Sequence, residues 1–176
     1  HIQEVKDGTI VDEKEFKIEA KAMSHGIPAY AYAFIIKDKI RLDKKKIRKL
    51  KLPNSPLLGQ LQAGKDIIHN GKTIKAKSLT YVEKGKKVTI ILDTEMNPKT
   101  VEIAKDSDLL ITESTFAKEE EKRAKEYKHL TATQAATIAK KAKAKQLILT
   151  HISQRYEHVP QIIEKQAKKI FKNTRI

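Results

Sequence analysis

Three short apolar runs in the second half of the chain, VTIIL (88–92), DLLIT (108–112) and QLILT (146–150), are each followed at once by a chemically capable side chain: Asp93, Glu113 and His151. Runs this short and this apolar read as strands covered on both faces. Between them lie helix-compatible segments, PKTVEIAKD after Pro98 and TATQAATIAKKAKAK, where Thr131 and Gln134 have capping-box spacing. A closing helix, PQIIEKQAKKIFKN, begins at Pro160. Alternation of strand and helix predicts an α/β fold whose strands run parallel, so that their C-terminal ends share one edge of the sheet. Sites in α/β proteins sit at that edge. Asp93, Glu113 and His151 should therefore converge.

Two more histidines belong with them. Residues 14–36 alternate in two blocks around the SHGIP connection, which puts His25 in a turn at a strand end. His129 lies just ahead of the capped helix. With no cysteine in the chain there is no disulfide and no thiolate ligand, so a metal must be held by His, Asp and Glu. Such a set suits zinc or another borderline divalent ion in a hydrolytic site. His69, beside an Asn-Gly turn, and His158 read as surface residues.

The formal net charge is +15, with 37 Lys and Arg against 22 Asp and Glu. An excess of that size points to a polyanionic partner, nucleic acid ahead of a membrane surface. A lysine-rich thermophile composition explains it incompletely, because there Lys and Glu rise together. The charge concentrates in KDKIRLDKKKIRKLK (37–51), read as a basic arm with a short helix and no core, followed by the Pro-bearing LPNSPLLGQLQAG. Residues 65–87 read as short strands around an Asn-Gly turn at 70–71. No apolar run approaches a membrane span, and neither a signal peptide nor an initiator Met precedes HIQEVKDGTIV. A cytoplasmic location and a piece of something longer are the corresponding expectations.

Residues 91–156, from ILDTEMNPKT through ITESTF and KHLTATQAAT to LTHISQRY, resemble the C-terminal half of tRNase Z (ribonuclease Z), and the resemblance extends back through KAMSHGIPAYAY. It implies a metallo-β-lactamase-like αββα sandwich, here its C-terminal half over residues 1–176, with a protruding basic arm at 37–64. By the same resemblance His25, Asp93 and His151 are metal ligands, Asp93 bridging two zinc ions. Glu113 and His129 form the catalytic pair that delivers a proton to the leaving oxygen. Lys44, Lys45, Lys46, Arg48 and Lys49 of the arm bind substrate, and Arg155 is a candidate phosphate contact, a structural ion pair being the other reading. Implied partners are precursor tRNA, the N-terminal half of the same enzyme and a second copy in a homodimer. The family usually has His-Glu-Ala-Thr where this chain reads Thr112-Glu113-Ser114-Thr115, and His-Ser-Thr where it reads His129-Leu130-Thr131.

The family's His-x-His-x-Asp-His loop is absent from these residues. Three ligands cannot fill two zinc ions that need three or four each. The expectation is a zinc-dependent endoribonuclease that removes 3′ trailers from precursor tRNA, present as a fragment inactive alone. A non-catalytic RNA-binding module of the same fold, or another hydrolase of that fold, are the alternatives.

Overall fold

A computed structural model describes residues 4–176; residues 1–3, at the start of HIQEVKDGTIV, lie outside the described residues. The chain divides into two compact units, the second being Lys37–Gly85. The first unit opens with three antiparallel strands, β1 (Gly8–Asp12), β2 (Phe16–Ala22) and β3 (Tyr30–Ile36). The two blocks of alternation around SHGIP are thus adjacent strands, with Ile18 opposite Phe34 and Ala20 opposite Tyr32.

The second unit contains β4 (Lys39–Leu42), α1 (Lys44–Lys49), α2 (Pro56–Gln62), β5 (Ile67–His69), β6 (Lys72–Ile74), α3 (Ala76–Leu79) and β7 (Thr80–Glu83). Asp43 caps α1 by accepting from the Lys45 and Lys46 N–H groups, and Pro56 starts α2. Asn70 and Gly71 both have positive φ, 49° and 72°, the backbone a two-residue type I′ hairpin needs between β5 and β6. Two features depart from the sequence reading. Ile47, Leu52, Leu61, Ile67, Ala76 and Leu79 form a small buried core, so this stretch is a folded unit rather than a coreless arm. It also runs beyond residue 64 to Gly85, because β4 pairs antiparallel with β7.

The chain returns to the first unit in β8 (Lys87–Ile91), α4 (Pro98–Ala104), β9 (Leu109–Glu113), α5 (Glu121–Glu126), α6 (Ala132–Lys141), β10 (Leu147–Thr150), α7 (Gln161–Lys168) and β11 (Thr174–Arg175). β8 joins β3 antiparallel, and β8 to β11 run parallel, giving a seven-stranded sheet in the order β1-β2-β3-β8-β9-β10-β11. The expected crossovers put α4 and α6 on the sheet. Asn97 caps α4, and α6 starts with the expected box, Thr131 accepting from the Gln134 N–H while Gln134 accepts from the Thr131 N–H. The buried face of α6 is mostly alanine, which lets the helix approach the sheet closely. Ala31, Ala33, Ile91, Leu110, Leu147 and Leu149 meet it from the strands. Burying each of the leucines contributes about 1.5–3 kcal/mol.

The opposite face of the sheet corrects the expectation of strands covered on both sides. Tyr32, Phe34, Ile90 and Ile111 share it by register, and Phe34 is 41% and Ile90 40% exposed. The helices of this chain cover one face. No helix among the described residues is long and apolar enough to cross a membrane.

Candidate functional site

Parallel register brings the strand ends together, Thr150 of β10 lying opposite Glu113 of β9. Just beyond the strands, Asp93 and His151 take left-handed backbone conformations, φ 49° and 52°. Asp and His tolerate that region better than most residues, at a cost of about 1–3 kcal/mol, and such strain gathers at functional sites. The turn lays both side chains along the sheet edge, where His151 Nε2 is 3.4 Å from Asp93 Oδ1.

Glu113 is the centre of the arrangement. Its carboxylate is fully buried and accepts from four donors: the Thr94 N–H at 2.7 Å, the Leu130 N–H at 3.0 Å, the Thr115 hydroxyl at 2.7 Å and His129 Nδ1 at 3.0 Å. Four donors saturate an acceptor-only carboxylate. The loops after β8, after β9 and before α6 are thereby tied to one group.

The same accounting fixes all three imidazoles. Lys128 O can only accept, so His25 Nδ1 donates to it at 3.0 Å. Glu113 can only accept, so His129 Nδ1 donates. The Thr115 hydroxyl, 2.7 Å from Glu113 Oε2 and 3.0 Å from the His151 carbonyl oxygen, gives its one proton to the carboxylate, the shorter and charge-assisted bond, so at 3.0 Å it accepts from His151 Nδ1. Each ring is held by its Nδ1 and leaves Nε2 to face a metal or a substrate. The rings stand close together, His25 to His129 5.0 Å and His129 to His151 5.2 Å between centroids.

Two sets of side chains bring ligand atoms within 4.8 Å of one another, His25 with Asp93 and His129, and Glu113 with His129 and His151. All five residues expected at the site therefore meet. His129 belongs to both sets, a placement the sequence reading did not anticipate. The donor set, imidazole and carboxylate with second-layer hydrogen bonds in place, fits a borderline divalent ion.

Sequence reading passed over the supports. Thr94 reaches Glu113 through its N–H, and its hydroxyl accepts from the Ser24 N–H at 3.2 Å, linking the His25 turn to the Asp93 loop. Thr115 bridges Glu113 and His151. Lys128, at φ 54°, turns its carbonyl to His25. The DT and ESTF stretches carried the signal for the threonines, whereas Lys128 acts through its backbone and leaves none.

Arg155 Nη1 is 3.5 Å from Glu120 Oε2, and its guanidinium stands 5.9 Å from the Phe116 ring centroid. Tyr156 packs, its hydroxyl accepting from the Ala117 N–H. Lys44, Lys45, Lys46, Arg48 and Lys49 are all exposed on α1, in the second unit. His158 is exposed, and His69 ends β5 half-buried.

A helix-backed mixed sheet that gathers histidines and carboxylates at the ends of its parallel strands places the chain among proteins of the metallo-β-lactamase fold. Solved structures agree. The metallo-β-lactamase fold protein YhfI from Bacillus subtilis superposes with a TM-score of 0.60 at 18% identity, over 96% of this chain and 48% of that one. A long form RNase Z from yeast gives 0.51 at 23%, over 79% and 13%. No family model matches. Ribonuclease Z of Ligilactobacillus salivarius is 41% identical over 97% of this chain and 55% of its own length, and a ribonuclease Z of Bacillus cereus is 37% identical over 99% and 58%. The chain belongs to the ribonuclease Z family. It spans a little over half the length of the curated relatives it matches.

Proposed function

We propose that this chain is the C-terminal half of a zinc-dependent endoribonuclease that removes 3′ trailers from precursor tRNA, and that it acts with the rest of that enzyme. The observation that carries the reading is Glu113, saturated by four donors and holding His129 beside His25, Asp93 and His151. His25, Asp93 and His151 would hold the metal, and further ligands would come from the N-terminal half. A bound divalent ion supplies an activated water and neutralises charge on the scissile phosphate.

The chain's own residues do the rest. Glu113 fixes the His129 ring through Nδ1, which leaves Nε2 placed to give a proton to the departing 3′ oxygen. Thr115 ties His151 to the same carboxylate, keeping ligand and proton donor in one frame. The exposed apolar face of the sheet supports a half-sandwich, since a sheet must bury such a face and the relatives are longer by enough residues to cover it. The exposed basic side chains Lys44, Lys45, Lys46, Arg48 and Lys49 suit the tRNA phosphate backbone, with the enzyme working as a cytoplasmic homodimer.

In the full-length protein Asp93→Ala should lose bound metal and abolish precursor-tRNA cleavage, measured by plasma mass spectrometry and a trailer-release assay. Retention of both metals and full turnover would remove Asp93 from the site. A full-length protein that binds precursor tRNA tightly yet never cuts it, with any divalent ion, would favour the non-catalytic module.

A further inference from the structure

A cleft of about 320 Å³ opens beside the site, with His129 and Thr115 in its lining. Phe116, 6% exposed, lines it, with its ring centroid 6.3 Å from that of His129 and 6.5 Å from that of Tyr127. Tyr127 is 57% exposed and lines one side. Arg123 and Arg155 line it too, both directed to Glu120, Arg123 Nη1 at 3.0 Å and Arg155 Nη1 at 3.5 Å from the same Oε2. An exposed aromatic face, two guanidinium groups and a proton donor around one opening are a nucleotide's complement: a π surface for the base and cations for phosphate.

We propose that this cleft is a base-stacking subsite for the nucleotide whose 3′ oxygen leaves, with Tyr127 as the stacking platform and Arg155 facing the phosphate on that nucleotide's 5′ side. The assignment rests on the functional reading above, because it takes His129 as the donor to that oxygen. The nucleotide bonded to the oxygen must then lie against His129, and the cleft is a space beside that ring large enough for a base. Stacking accepts any base, so the subsite fixes the position of the cut without demanding a sequence.

The test uses the full-length protein, chelator-treated so that no cleavage occurs, and precursor tRNA carrying 2-aminopurine at the last retained position. Binding should quench the fluorescence with the wild type and with Tyr127→Phe, and the quench should be lost in Tyr127→Ala, whose fold is checked by circular dichroism. With metal restored, an abasic nucleotide there should lower kcat/KM roughly 10-fold in the wild type, the scale of one stacked base. In Tyr127→Ala the abasic change should cost almost nothing more. Equal quenching in all three proteins, or additive losses from the two changes, would overturn the subsite. A wild type that leaves every precursor tRNA uncut would instead overturn the functional reading, and the quenching result would still decide whether a base stacks on Tyr127.

Discussion

Among single residues, the burial of Glu113 decides most. Its four donors are satisfied by a carboxylate and cannot all be satisfied by a carboxamide, whose NH2 would face a donor. Glu113→Gln should therefore destabilise the fold by about 3 kcal/mol, read as a lower urea midpoint at unchanged slope. An unchanged midpoint would show that the four hydrogen bonds do not hold the loops together. His129 is a different case because it lies within reach of both ligand sets. If it protonates the leaving oxygen, His129→Ala in the full-length protein should slow RNA cleavage roughly 100-fold with metal content unchanged, and a nitrophenyl phosphodiester, whose leaving group needs little protonation, should be largely spared. Loss of metal in that variant would make His129 a ligand instead. The identities of these residues were legible from sequence. Their pairing was expected as well, but which ring nitrogen carries it was not, because Nδ1 and Nε2 are distinguished only by what each ring faces.

Between elements, the strand ends away from the site are tied by Asp108, at the start of β9. Its carboxylate accepts from Lys145 Nζ at 2.7 Å, from the Lys87 N–H at 2.9 Å and from Lys86 Nζ at 3.2 Å. The Lys145 hydrogen bond, helped by the other two and opposed by burial, holds its pKa down at about 2. A carboxylate whose folded pKa lies below its unfolded value stabilises fully above the unfolded pKa, and that contribution is lost as the pH falls through the folded one. Stability should thus fall between about pH 4 and pH 2, and Asp108→Asn should remove roughly 1–2 kcal/mol of that fall after allowance for screening at this partly exposed position. Chemical denaturation at a series of pH values checks it. Identical pH profiles for wild type and variant would exclude Asp108 as a source. The elements that meet here were readable from their apolar runs and caps. Their partner in charge was not, since Asp108 and Lys145 are 37 residues apart.

For the whole molecule, charge and apolar surface point to what it meets. The basic side chains of α1 are exposed rather than packed; if they contact tRNA as proposed, neutralising Lys44, Lys45, Lys46, Arg48 and Lys49 in the full-length protein should weaken tRNA binding and flatten its salt dependence. For every phosphate no longer neutralised, the slope of log affinity against log salt should fall by roughly 0.7–0.9. Titrations at several salt concentrations measure both. Unchanged affinity and slope would show that the RNA lies elsewhere. Because α1 keeps Ile47 in a small core, substitutions confined to the exposed residues are a cleaner probe than deletion of residues 37–64, which would remove half of a folded unit.

Sequence alone determined what is local and periodic: the three parallel strands, the capped helix after Thr131, the Asn-Gly hairpin at 70–71, and the chemically capable side chains at the strand ends. Those follow from spacing and from the backbone each residue type permits. Tertiary structure decided the rest. Only packing could show that residues 37–85 own a core, since Ile47, Leu61 and Leu79 are far apart in the chain. Only the sheet's layering could show that helices cover one face and leave Phe34 and Ile90 open, because an apolar strand looks the same whether its second cover is present or not. Which ring nitrogen is tied, and which remains free, depends on carbonyls and hydroxyls brought in from other loops.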